Sequence, residues 1–388
     1  MTLAAACSSP AAEDPPADEP AVEVPPEEEG DAGAKQYTPA EGFDPADGIY
    51  VKAQTDLYWE ARYSDGRGYA EYLAKTLTGD YANIENFAVG GAFSGILTGS
   101  KEAGDERSNW SPWLKGWGGV EQTETFLSEN GGKAPADGLY VISTGGNDSY
   151  AAADIGEEAA VEKSVECIVQ MVDNLAKAGA TDILVMMQST HPGEAEESSF
   201  TKLHREKEKA AIESYAVKNA GLNLVLLDPQ PLWEDMKAQG MEPYGYKTWG
   251  FYLISDWVPA YGYAYVKDDN SDKLPTSEAE DIYEYGYYYS TDSKYYAPDT
   301  ADYAVDEFLT YDEYHLSSRS QKHVATYVLG ADVDADDGAF AKVYAGEDSA
   351  FAKSKLAKKQ YAKIYTFGDS GIDTGRANEI TKALVDAR

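Results

Sequence analysis

Lys363-Ile364-Tyr365-Thr366-Phe367-Gly368-Asp369-Ser370-Gly371-Ile372-Asp373-Thr374-Gly375 lies near the C-terminus of a 388-residue chain. Its apolar run, Ile364 to Phe367, reads as a short strand that ends in a glycine turn carrying a serine. In open α/β sheets, ligands bind at the carboxyl ends of the strands. A serine delivered there, followed by backbone N–H groups able to face a developing oxyanion, is a candidate nucleophile. Gly-Asp-Ser-Gly also suits an ordinary turn, so the rest of the chain must decide.

Four more apolar runs read as buried strands: Ile84 to Val89, Leu139 to Ser143, Ile183 to Met187 and Leu222 to Leu227. Between the later ones, residues 157–178 and 202–219 carry apolar positions at helical spacing, and a polar helical stretch is expected around 339–360. Strands alternating with helices predict an α/β fold with a mostly parallel sheet covered on both faces. Residues 240–310 interrupt the alternation and hold about half of the 30 tyrosines. Tyr-rich segments pack more often than they bind, so a small tyrosine-built core is favoured over a sugar-stacking or aromatic-acyl surface.

Composition limits the partners. The formal charge of −36 argues against nucleic acid and anionic lipid headgroups, which it would repel. No apolar run reaches the roughly 18 residues of a membrane span. Of the two cysteines, Cys167 falls in the apolar pattern Val165, Ile168, Val169, Val172 and reads as a core thiol. Leu3-Ala4-Ala5-Ala6-Cys7 resembles the end of a bacterial lipoprotein signal, with Cys7 as lipidation site, although the apolar segment before it is short for a working leader. Residues 8 to about 36, rich in Pro, Ala, Glu and Asp, read as a disordered acidic tether. The expectation is a bacterial secreted or cell-surface lipoprotein, with residues 1–36 as leader end and tether and 37–388 as a monomeric catalytic domain.

An imidazole base must come from four histidines. His204, in Lys202-Leu203-His204-Arg205-Glu206, reads as solvated helix surface. His191, before Pro192 and after a strand, is a candidate pocket residue, and His323 is expected to pack on a helix. His315 follows Asp312 by three positions, a spacing that lets the carboxylate hold Nδ1 and leaves Nε2 free to take a proton. Two loops leave strands at the same expected sheet edge: Asn86 to Gly95, with paired glycines, and Thr144-Gly145-Gly146-Asn147-Asp148. Glycine allows close backbone approach, and Asn147 adds an amide donor.

Taken together, Gly368-Asp369-Ser370, Asn86 to Gly95, Gly145-Gly146-Asn147-Asp148 and Asp312-x-x-His315 resemble the four blocks of the SGNH/GDSL serine hydrolases. The stretch Arg62 to Leu73 is similar to the segment between the first two blocks in the larger lipase/esterase branch. The resemblance implies Ser370 as nucleophile, His315 as general base, Asp312 orienting it, and Ser370, Gly91 and Asn147 as oxyanion donors. It also implies a three-layer α/β/α domain with a five-stranded flavodoxin-like sheet, and no metal or organic cofactor. Gly371 stands where the family name has leucine. The nucleophile block comes last here rather than first, as expected of a circular permutation with 331–362 as the rejoining linker. The chemistry implied is carboxylic ester hydrolysis on a small-molecule ester of short-to-medium acyl length. A carbohydrate acetyl esterase, a non-catalytic sugar-binding lipoprotein and a mis-cut tandem array are the rival readings.

Overall fold

The computed structural model of the protein describes residues 49–52, 62–97, 108–109, 116–190, 192–193, 196–251, 263–266, 307–311, 314–333, 348–377 and 379–380. All belong to the compact unit Tyr37–Arg388. The tether with Cys7, most of the Tyr-rich stretch, part of the expected linker, His191 and Asp312 lie outside the described residues.

Along the chain run β1 (Ile49–Lys52), α1 (Tyr69–Thr78), β2 (Ile84–Asn86), α2 (Gly119–Glu129), β3 (Gly138–Ser143), α3 (Ala152–Ile155), α4 (Glu157–Lys177) and β4 (Asp182–Met186). They are followed by α5 (Ser199–Lys218), β5 (Asn223–Leu227), α6 (Gln230–Gln239), β6 (Thr248–Phe251), β7 (Tyr263–Val266), β8 (Phe308–Thr310), α7 (Ser318–Leu329), α8 (Ala350–Lys353) and β9 (Lys363–Gly368). The main sheet has the order β2-β9-β3-β4-β5, and every neighbouring pair in it is parallel. Two small two-stranded sheets, β1-β7 and β6-β8, stand apart from it.

β9, the last strand among the described residues, is second in space. Ile364 pairs with Ile84 on one side and Leu139 on the other, and Gly368 pairs with Ser143. Removing it would leave two strands facing a slot with unpaired backbone groups on both sides.

Strand alternation sorts the side chains into two cores. Leu139, Val141, Leu184 and Ile364 face one layer, packed with Leu73 of α1, Trp233 of α6, Val328 of α7 and Phe351 of α8. Tyr140, Ile142, Ile183 and Phe367 face the other, with Phe126 of α2, Ile168 of α4 and Ile212 of α5. The rings of Tyr140 and Tyr365 stack at 5.1 Å, and Phe126 stands edge-on to Phe367 at 5.6 Å. This is the expected three-layer α/β/α sandwich.

One strand is shorter than its apolar pattern suggests. β2 ends at Asn86 because the Asn86 side chain takes the Ala88 N–H at 3.1 Å and donates to the Ala88 carbonyl at 3.2 Å. The chain nonetheless stays on β9 through Phe87 N–H to Thr366 O at 2.8 Å and Val89 N–H to Gly368 O at 3.1 Å. Of the helix expected around 339–360, the described residues hold only α8, capped by Ser349, and a 3₁₀ turn at Leu356–Lys358.

A chain truncated before residue 360 should lose its cooperative thermal transition. Losing a strand buried on both faces outweighs the roughly 5–15 kcal/mol of a typical domain's net stability. A truncated protein that melts cooperatively near the full-length temperature would show that β9 is dispensable.

Candidate active site

Ser370 sits one residue past the turn at the carboxyl end of β9. The turn depends on Gly368, whose φ is +145°. A Cβ at Gly368 would overlap the Ser143 carbonyl oxygen of the neighbouring strand, so no other residue fits. Gln122 of α2, wholly buried, clamps this glycine on both sides: Gly368 N–H donates to Oε1 at 2.7 Å, and Nε2 donates to Gly368 O at 2.8 Å. The following turn is held by the Asp373 carboxylate. It accepts the N–H groups of Gly375, Arg376 and Ala377 at 2.8, 2.7 and 3.2 Å. It also accepts Gly90 N–H at 2.9 Å and Asn86 Nδ2–H at 3.0 Å, fixing the Ser370 turn to the Gly90 loop.

His315 lies in the loop between β8 and α7. Its Nε2 lies 2.8 Å from Ser370 Oγ. The loop carrying it folds back on β8: Tyr311 N–H donates to His315 O at 2.6 Å, and Ser317 N–H to Leu309 O at 3.1 Å. Ser317 then caps α7. The Arg62–Gly68 segment braces the loop from outside. Asp65 accepts Ser318 N–H at 2.7 Å and Ser318 Oγ–H at 3.0 Å, and Ser64 Oγ donates to Leu316 O at 3.0 Å. The Tyr63 ring lies 4.8 Å from the imidazole, tilted by 41°. These bracing residues were not singled out from sequence. Their signal was the quoted stretch Arg62 to Leu73, which carried a resemblance but no individual roles.

The two glycine loops meet at the same edge. Gly91 takes φ +76°, and Asn147 Nδ2 donates to Ala92 O at 3.2 Å, tying one loop to the other and leaving its second amide hydrogen for another acceptor. Beside His315, Asp369 and Gly371 opens a cavity of about 190 Å³, walled by Met187, Trp233 and Val324 and by the polar Gln188, Ser189 and Gln321. Asp369 lines it with one oxygen held by Gly371 N–H at 3.1 Å. Burial, reinforced by the nearby Asp148 carboxylate, pushes the Asp369 carboxyl up to about 7, although the Gly371 N–H and His315 oppose the shift.

The remaining described histidines are inside the protein. His323 packs as expected, its Nδ1 2.7 Å from the Tyr246 hydroxyl, and burial lowers its pKa to about 3. His204 corrects the sequence reading: it is 0% exposed rather than solvated. The charged residues around it decorate the outer side of α5, while His204 itself falls on the stripe facing α4. Its Nε2 lies 2.8 Å from Ser164 Oγ, and its Nδ1 3.4 Å from Glu208 Oε2. This is a second serine–histidine–carboxylate array, but all three side chains are fully buried. No substrate can reach Ser164, whereas Ser370 is half-exposed beside a cavity. Cys167 is buried, as its pattern suggests.

Against known proteins, the sequence model of the family described as GDSL-like Lipase/Acylhydrolase matches residues 41–328. That span contains the Gly91 and Asn147 loops and His315, and stops short of Ser370. No curated protein matches the chain.

The raised Asp369 carboxyl has a consequence for stability. Between its unfolded value near 4 and about 7, the folded state holds a proton that the unfolded state has released. Its contribution is therefore fullest at low pH and is lost as pH rises towards 7. Asp369→Asn keeps an acceptor for Gly371 N–H without the charge. Its melting temperature relative to wild type should be higher at pH 8 than at pH 5, by a few degrees at about 2–4 °C per kcal/mol. An equal difference at both pH values would count against an ionisable carboxyl at this site.

Proposed function

The chain belongs to the GDSL-like lipase/acylhydrolase family, and we propose that it is a serine ester hydrolase with Ser370 as nucleophile and His315 as general base. As a family member it is an esterase or acylhydrolase. The observation that carries the finer reading is the 2.8 Å contact between His315 Nε2 and Ser370 Oγ at the cavity.

In this reading Ser370 Oγ attacks the ester carbonyl as His315 Nε2 takes its proton. The Ser370 and Gly91 N–H groups and the Asn147 amide stabilise the oxyanion. His315 then protonates the departing alcohol, and water activated by the same imidazole cleaves the acyl-serine. Asp312 is proposed to hold His315 Nδ1, on the strength of its D-x-x-H spacing. A cavity of about 190 Å³ suits a short-to-medium acyl group. Its mixed lining of Gln188, Ser189 and Gln321 beside Trp233 also favours a second reading, the cleavage of acetyl groups from a carbohydrate.

We also propose that the chain is a circularly permuted member. The central place of β9 supports this, as does a family match that ends before the nucleophile segment. A cell-surface location through a lipidated Cys7 is proposed from the Leu3-Ala4-Ala5-Ala6-Cys7 motif alone.

Ser370→Ala should lower hydrolysis of a p-nitrophenyl ester panel, acetate to palmitate, by about 10³ or more and abolish fluorophosphonate labelling. Labelling that persists at another serine would sink the assignment. Asn147→Ala should lower kcat by roughly 10²–10³ with little change in KM. A raised KM with kcat intact would instead make Asn147 a ground-state binding residue.

A further inference from the structure

The buried array around His204 lies directly beneath the two loops assigned to the oxyanion. Asp148, next to Asn147, accepts Ser94 N–H at 3.1 and 3.2 Å and Ser94 Oγ–H at 2.6 Å. Ser94 belongs to the loop of Gly91. Ser94 Oγ lies 3.3 Å from Ser164 Oγ, which lies 2.8 Å from His204 Nε2. The imidazole also underlies the Asn147 loop: a Cβ on Gly145, at φ +113°, would come within 2.9 Å of His204 Cε1. The chain Asp148–Ser94–Ser164–His204–Glu208 thus joins both loops to α4 and α5.

A serine hydroxyl has one hydrogen to donate. That of Ser94 reaches Asp148 Oδ1 at 2.6 Å and faces Ser164 Oγ, as donor, at the longer 3.3 Å. The 2.8 Å Ser164–His204 contact can take its hydrogen from either partner, so the charge of the imidazole turns on Glu208. At the other end, Glu208 is 0% exposed. Neither of its carboxyl oxygens meets a hydrogen-bond donor among the described residues. Among the described residues, the basic group at ion-pair distance is His204, through Nδ1 at 3.4 Å. A carboxylate so placed requires a positive neighbour.

We propose that His204 is a positioning residue for the ester-cleaving site, buried as an imidazolium between Glu208 and Asp148 and holding the Gly91 and Asn147 loops in register. This rests on the reading of those loops as oxyanion donors. The titratable groups facing the array are Glu208 on the same helix, Asp148 from the Asn147 loop, Cys167 from α4, Asp228 after β5 and Asp369 from the nucleophile turn. Asp228 is itself paired to Arg205 at 2.8 Å. Burial opposes the charge on His204, but Glu208 and Asp148 outweigh it and raise the imidazole above its ordinary range. The stacking contribution of Phe200, 5.7 Å away and nearly parallel, acts in the same direction. With a raised folded value, the imidazolium is lost as pH rises through that value; burial also raises the Asp148 and Glu208 carboxyls, so the array loses its negative partners as pH falls.

Imidazole ¹H–¹⁵N spectra of the Ser370→Ala protein test the charge directly, with His204 assigned among the four histidines by comparison with His204→Gln. Both ring nitrogens of His204 should carry protons at pH 7, and the second should be lost only above the ordinary imidazole range. A spectrum with one unprotonated nitrogen at pH 7 overturns the proposal. In the otherwise wild-type enzyme, His204→Gln and Ser164→Ala should each lower kcat about 10- to 100-fold, as expected of a displaced catalytic group, with KM within about twofold. Ser164→Ala removes a single hydroxyl, which keeps the kinetic arm available should the Gln variant fold poorly. Unchanged kcat in a folded Ser164→Ala protein also overturns the proposal. Hydrolysis that survives Ser370→Ala would instead refute the serine mechanism, an outcome the spectra do not depend on.

Discussion

Much of this structure hangs on the pairing of β9 with β3, and on how closely the two strands approach at Gly368 and Ser143. The turn after β9 can reverse only because residue 368 lacks a side chain that would occupy the place of the Ser143 carbonyl. That pairing puts β9 inside the sheet, joins β2 to the remainder, and presents Ser370 at the carboxyl edge. Completing the sheet and placing Ser370, the proposed nucleophile, at its edge are therefore the same event. Gln122 makes the link tighter, since its amide satisfies both backbone groups of the glycine from the far side.

Around this edge, buried carboxylates do different work according to what faces them. Asp373 is surrounded by five N–H donors and serves as an anchor between two loops. Asp148 receives three bonds from one serine and is part of the chain leading to His204. Asp369 has one backbone donor and faces the cavity, and its proton is correspondingly hard to remove. Desolvation acts on all three in the same direction, and it is the number and charge of the partners that separates them.

The strands and the core helices were readable from apolar runs because burial on both sheet faces imposes continuous hydrophobic stretches. The serine, the two glycine loops and His315 were readable because each follows an element that ends in the same place. His204 was not. Lys202, Arg205, Glu206 and Lys207 surround it in sequence, so α5 reads as charged at that point, and only its rotation against α4 shows that His204 and Glu208 face inward. A buried ion pair four residues apart on one helix is indistinguishable, by composition, from a solvated one.

Residue types and their local order thus determined the chemistry available to this protein: a strand ending in Gly-Asp-Ser, a histidine loop, and an asparagine after paired glycines. They also determined that the sheet is parallel, since alternating strands and helices have few other packings. What the tertiary structure decided was selection among equivalent letters. Two serine–histidine–carboxylate arrays can be written from this chain, one around Ser164 and one around Ser370, and their spacings do not rank them. Packing does: it seals the first beneath the loops, where solvent and substrate are excluded, and opens the second onto a cavity. Accessibility is a property of surfaces formed by residues far apart in sequence, so it is absent from any local pattern.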